Sequence, residues 1–503
     1  MKNRFLEISK IALFSLAILM GQACSDNDDE KEVLPPITDN DDPTDDSNDN
    51  PDISEVSEKI YFVKQEKTGS GSGENWDNAM GTKELRELLN GSANATKTVG
   101  NMTFHVAEGS YLIGDKPEGV TIAYKELEKQ VVINFWGGYD PASTGTDLSK
   151  RDIAVNKTTF TGDVNGDGNA NDGDYSLFTL GAYTDVTFDG FTFSCGYHAD
   201  NSDNSYGSGF YVAHMEATLQ LNHCNIEKCK NDRVNGKGDA GGSAIYIDHG
   251  IVKLNDVLVK GNFTGDNGSR GTIRSKNSDV VLFINGSRIT FNMGREYGYA
   301  IQMSAGNLCM NNTFLIANWG SEGSINGAAA MLLVNNTMVE GCSGLLLRCE
   351  SIPSQQSFLM NNIIVPNTPV DYPIVNVSDP DRFRMTSKGY NLFGGIAPNN
   401  NGFIPSNTDI YGCAEQAPDG QAHGLGLNYD ENKDICVWDK NIAALGFTPT
   451  TLSAVKSAIN EFDPDSRPDK IKQSLGKEFL GWLESIKAFP AEGNLIPGAY
   501  QDN

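Results

Sequence analysis

Gly242-Ser-Ala-Ile-Tyr-Ile-Asp-His249, Gly271-Thr-Ile-Arg-Ser-Lys276 and Gly298-Tyr-Ala-Ile-Gln-Met303 open three successive runs that close on Asn262, Asn292 and Asn318, asparagines 30 and 26 residues apart. Each run has a small residue, a short alternating apolar stretch, a turn, a second stretch (Val252 to Val259, Val280 to Phe291, Leu308 to Ile316) and then Asn. A period this long, built of short strands without a helix, marks a solenoid whose coils bury their apolar side only by stacking on one another. The pattern predicts an all-β parallel β-helix, with the closing asparagines stacked as structural amides.

The same repeat predicts which side chains face inward. Aligning coil starts sets Phe210, Ile245, Ile273 and Ile301 in one apolar ladder and Val212, Ile247, Ser275 and Met303 in another. Strand side chains alternate, so the ladders Tyr211, Tyr246, Arg274, Gln302 and Ala213, Asp248, Lys276, Ser304 are expected to point outward as an exposed face.

Around the repeat, Ile60 to Lys64 reads as a first strand and Thr82 to Leu89 as a short capping helix with Leu85, Leu88 and Leu89 on one side. Further strands are expected at Met102 to Val106, Val131 to Trp136, Ser176 to Leu180, Asp185 to Ser194, Gly209 to His214, Ala217 to Ile226, Ala329 to Val339, Gly344 to Cys349 and Phe358 to Val365. Beyond Tyr372 the spacing loosens. Leu452 to Phe462 and Ile471 to Phe489 read as helices, and Pro497 to Gln501 as a returning strand. The expected organisation is therefore residues 57–370 as the β-helix and 371–503 as terminal coils with a partly helical cap packed on it.

Lys2 and Arg4, the apolar stretch Ile11 to Met20 and the small residues before Cys24 read as a signal peptide over residues 1–23. Residues 25 to 56 hold thirteen Asp or Glu against one Lys and no aromatic residue, the composition of a disordered acidic tether. The net charge of −27 argues against nucleic acid as a partner. Eight cysteines follow Cys24 without metal spacing; Cys413 with Cys436 is the disulfide pair to test, and Cys195, Cys224 and Cys309 read as core thiols.

Glycine-rich coil starts followed by an apolar run and Asn are joined by Ile60-Tyr-Phe-Val-Lys64, Gly69 to Trp76, Val106-Ala-Glu-Gly-Ser-Tyr111, Trp136-Gly-Gly-Tyr-Asp140, Gly389-Tyr-Asn-Leu392 and Pro497-Gly-Ala-Tyr-Gln501. Together these resemble the right-handed parallel β-helix lipoproteins of Bacteroidetes, which share the pectate-lyase type of solenoid. The resemblance implies a right-handed coil, acylation of Cys24, export to the outer face of the outer membrane guided by Ser25 to Glu30, and a monomer acting on extracellular polysaccharide. The family spans lyases, glycosidases and binding proteins, so function has to come from the site.

Three functions are open on these residues. Tyr211, Tyr246, Asp248 and Gln302 suit glycan binding, with tyrosine rings covering sugar faces. Arg274 as a carboxylate clamp and Lys276 as a base suit β-elimination of a uronic acid polymer, with Arg270, Lys260, His214 and His249 nearby in the alignment. The same face could instead bind a protein, as an adhesin. A hydrolase would need two convergent carboxylates, and Asp248 has no clear second one. Separately, Asp163, Asn165, Asp167, Asn169, Asn171 and Asp174, with Gly168 at the sixth place, have the spacing of a calcium loop, and equally the composition of an ordinary solvated turn.

Overall fold

In a computed structural model of the chain, the described residues are 58–91, 100–127, 129–171, 173–200, 207–233, 241–265, 270–294, 300–320, 323–340, 346–349, 356–366, 373–377, 384–397, 402–411, 427–430, 432–438, 450–451, 453–455, 457, 494–495 and 498–499. Among them the strands form three long parallel sheets, of twelve, ten and nine strands, and a short parallel one of four. One central coil shows the path. The chain runs through Ile245–Ile247 in the nine-stranded sheet, Ile251–Asn255 in the twelve-stranded, Leu258–Lys260 in the ten-stranded and Phe263–Thr264 in the four-stranded. It then repeats one level up at Ile273–Ser275. This is a parallel β-helix.

Stretches that read as single strands in the sequence are pairs of strands bent round one residue. Asp185 to Ser194 divides into Thr184–Asp189 and Phe191–Ser194 about Gly190 (φ 78°), and Ala217 to Ile226 into Ala217–Asn222 and Asn225–Glu227 about His223 (φ 51°). The same left-handed corner recurs at Asp256, Gly286, Asn312, Asn335 and Asn361. A one-residue corner preserves the apolar alternation on both sides, so the sequence pattern runs through it unmarked.

The interior is a column of stacked like side chains. Phe104, Phe135 and Phe188 lie face to face at 4.7 and 4.5 Å between ring centroids, each 0% exposed. The amides at the corners are stacked too. Asn262 Nδ2 donates to Asn292 Oδ1 (2.9 Å), and Asn292 Nδ2 to Asn318 Oδ1 (2.8 Å), while the same amides reach the backbone carbonyls of Ile226, Val259 and Ile289. The expected structural role of these asparagines is thus seen in their bonds. Two further amide ladders, Asn336–Asn362–Asn391 and Asn311–Asn335–Asn361, do the same work higher up.

At the first coils, helix Thr82–Asn90 buries Leu85 and Leu89, and Arg86 donates to the carbonyls of Leu112 and Gly114. Trp76, Ala107 and Tyr139, from three of the sequence landmarks, pack together in a separate small cluster. The hairpin Leu427–Asp430/Ile435–Trp438 lies against the outer face of the ten-stranded sheet, where Ile435 and Cys436 pack among Phe314, Ile316, Val339 and Ile363. Gly498 donates to Asn361 O at 2.8 Å and Ala499 to Thr337 Oγ1 at 2.9 Å, which docks these two residues on the same side. Of the expected terminal helices only 453–455 and 457 are described, all helical. The signal peptide, Cys24, the tether and Cys413 lie outside the described residues. Cys195 and Cys224 are buried, as is Cys229, and burial pushes their thiols up to about 11, 12 and 12, so they are inert packing groups.

Candidate functional site

The expected face lies on the nine-stranded sheet. Phe210, Ile245, Ile273 and Ile301 pair in register and are each 0% exposed, as the inward ladder requires. Tyr211, Tyr246, Arg274 and Gln302 pair in the same register one residue on, and therefore point away from the core. They do not form an exposed face. Tyr211 is half-buried, but Tyr246, Arg274 and Gln302 are 3%, 0% and 7% exposed.

The coil-start glycines are the reason. A Cβ on Gly242 would lie 2.8 Å from Tyr246 Cβ, one on Gly241 2.7 Å from Arg274 Cδ, and one on Gly271 2.9 Å from Gln302 Cβ. The chain entering each coil folds back across the outward ladder, and only a residue without a side chain permits so close an approach. Beneath that cover the Arg274 guanidinium stacks on the Tyr246 ring at 5.4 Å, and Tyr246 packs on Tyr211 with centroids 5.7 Å apart. Arg274, expected to clamp a substrate carboxylate from solvent, is instead an interior cation.

What reaches solvent is the next outward position. Asp248 is the hub of a ledge crossing three coils. Its carboxylate accepts from Tyr211 Oη (3.2 Å) and Asn277 Nδ2 (2.8 Å), and Lys276 Nζ stands 3.4 Å away. Asn277 also approaches His249 Nε2 (3.2 Å), whose Nδ1 meets Asp279 Oδ1 at 2.9 Å. Lys276 is exposed and the other five are intermediate. Asn277 and Asp279 were missed in the sequence; Asn277 follows Gly271 at the offset at which Asp248 follows Gly242, and Asp279 lies two residues further on with no counterpart in the coil before. Lys260 is not part of this group. It lies on the ten-stranded sheet with its ammonium 2.9 Å from Asp434. His214 is held in a turn, accepting from the Glu216 amide at 3.2 Å.

The Asp163–Asp174 loop is folded on its own carboxylates. Asp163 accepts from the amides of Gly166 (2.7 Å) and Gly168 (2.8 Å), and Asp174 from those of Val164 (2.9 Å) and Asn171 (2.7 Å). Asn171 Nδ2 donates to Asp167 Oδ2 at 2.7 Å. Among the described residues no three His, Cys, Asp or Glu side chains converge as metal ligands, so a cation here would lean on asparagine and backbone oxygens.

No family model and no curated protein matches the chain. Among solved structures, that of pectate lyase Pel9A aligns with 77% of this chain and 90% of its own, at 11% identity and a TM-score of 0.36.

Proposed function

We propose that the chain is a cell-surface polysaccharide-binding protein, anchored through Cys24, that engages its glycan at the Tyr211–Asp248–Lys276–Asn277 ledge. The observation that supports this reading is the ledge itself: a phenol, a carboxylate, an ammonium and an amide held by mutual hydrogen bonds on adjacent coils. Side chains fixed in this way lose little entropy on binding and offer both donors and acceptors to sugar hydroxyls. Binding is favoured over the alternative of a uronic-acid lyase because β-elimination needs a cation at the substrate carboxylate, and Arg274 is fully buried. Lys276 is engaged by Asp248.

Size-exclusion of the full chain with uronic-acid, sulfated and neutral polysaccharides tests the reading. Co-elution of an unshortened polymer, weakened about tenfold by Lys276→Ala, supports binding. A shortened polymer with new ultraviolet absorbance would replace binding by the lyase, and no co-elution across the panel would leave a protein-binding adhesin.

Calcium at Asp163, Asn165, Asp167, Asn169, Asn171 and Asp174 belongs to the same proposal, as a brace for the loop; the all-oxygen donor set suits a hard cation. Added calcium should raise the melting temperature by a few degrees, about 1 kcal/mol. An unchanged melt and no heat in a calorimetric titration would remove the metal.

A further inference from the structure

The four-stranded sheet carries a second surface. Phe263 pairs in register with Met293, and Met293 with Trp319, so the three occupy the same outward position on successive coils. Unlike the ladder on the nine-stranded sheet, this one is open. Trp319 is 62% and Met293 37% exposed, Phe263 is half-buried, and Phe291 beside them is 42% exposed. Single exposed apolar residues are ordinary, but a contiguous row on adjacent coils marks a binding surface.

The row is also held rigid from beneath. Each member directly follows a ladder asparagine, Asn262, Asn292 or Asn318, whose buried amides bond to one another and to the backbone. Paired charges flank it: Lys230 Nζ lies 2.6 Å from Asp232 and 5.7 Å from the Phe263 ring centroid, and Lys260 Nζ lies 2.9 Å from Asp434 and 5.8 Å from that of Phe291.

We propose that Phe263, Met293 and Trp319 form a rail on which an extended polysaccharide chain lies along the solenoid axis, one apolar side chain per coil against the sugar faces, with the flanking ion pairs meeting the hydroxyls. The width of the row selects this occupant. Four partly exposed side chains offer roughly 400 Å², about half of the ~800 Å² that one partner contributes to a standard protein interface. A polymer one ring wide, with hydroxylated edges and apolar faces, matches a narrow apolar strip between paired charges.

The proposal rests on the polysaccharide reading but on a different face from the Asp248 ledge, so the two are separable. Gel retardation of the full chain is measured in polygalacturonate, alginate, dextran sulfate, xylan and laminarin, for wild type, Trp319→Ala, Trp319→Phe and Lys276→Ala. Trp319→Ala is expected to weaken retardation about tenfold, with Trp319→Phe restoring most of it. Loss with Lys276→Ala alone, at unchanged Trp319→Ala, would overturn the rail and leave the ledge. Absence of retardation by every polymer would overturn both. A change in sedimentation of Trp319→Ala without a change in retardation would also overturn the rail, making the row a contact between copies of the chain. Because Trp319 is exposed, its variants should melt as wild type does, which a thermal scan checks.

Discussion

Two outward ladders on this solenoid have opposite fates. On the nine-stranded sheet Tyr246, Arg274 and Gln302 point away from the core and are buried; Met293 at the end of the four-stranded sheet, and Trp319 bridged to it, point away and are open. Alternation along a strand fixes direction, not exposure. Exposure depends on what the chain lays over the strand, and here the coil-start glycines let the incoming backbone lie over the ladder of the nine-stranded sheet.

The largest expected effect breaks or confirms that contrast directly. Arg274→Ala should cost about 3–5 kcal/mol, because it empties a filled interior site and removes the cation from the Tyr246 ring. Trp319→Ala should stay within about 0.5 kcal/mol. Equal denaturation midpoints for the two variants would mean that Arg274 is not under cover in solution. Next comes the layer beneath the rail. Asn292→Ala removes an amide that donates to Val259 O and Asn318 Oδ1 and accepts from the Asn262 amides, and should cost about 2–3 kcal/mol by leaving those groups buried and unpaired. A loss below about 0.5 kcal/mol in chemical denaturation would show that the ladder does not brace the row.

Much of this was legible in the sequence. The repeat from Gly242 to Asn318 gave the parallel coil, the register of the inward and outward ladders of the nine-stranded sheet and the stacked amides, because each follows from period and alternation alone. The cover over Arg274 was not legible: glycines at coil starts signal tight turns, and nothing in a repeat says that the turn crosses the neighbouring strand. The rail went unread for the complementary reason. Phe263, Met293 and Trp319 differ in type and follow asparagines already explained as structural, so although they share a place after those asparagines, their openness emerges only in the folded coils. The ledge was half visible, with Asp248 and Lys276 found by alternation and Asn277 and Asp279 lying in the turn beyond it.

Cover against openness should also set the sign of a pH response. His105 lies within strand Met102–Ala107 of the twelve-stranded sheet and His223 at the corner that follows Ala217–Asn222 of the same sheet, His105 only 8% exposed and His223 with 51% of its side chain in solvent. Burial, reinforced by repulsion from Arg151, holds His105 down at about 4. The unfolded chain then takes a proton below about pH 6.5 that the folded chain refuses. Stability should fall from there toward pH 4, by about 3 kcal/mol, and His105→Gln should remove that slope.

His223 works the other way. Its hydrogen bond to Asp189 raises it against the cost of its burial, with Asp256 assisting and Arg151 opposing. Burial would raise the Asp189 carboxyl, but hydrogen bonds from His223 and Arg151 bring it below the usual range. The pair therefore stabilises fully between about pH 4 and 6.5. Its share is lost upward as pH passes the raised value of His223, and downward as pH passes the lowered value of Asp189. Solvent screening at the half-exposed ring keeps the upper limb under about 1 kcal/mol. In chemical denaturation His223→Gln should cost stability at pH 5.5 and approach wild type at pH 9. An equal difference at both would show that openness at this corner, unlike cover at His105, leaves no mark on the proton balance of folding.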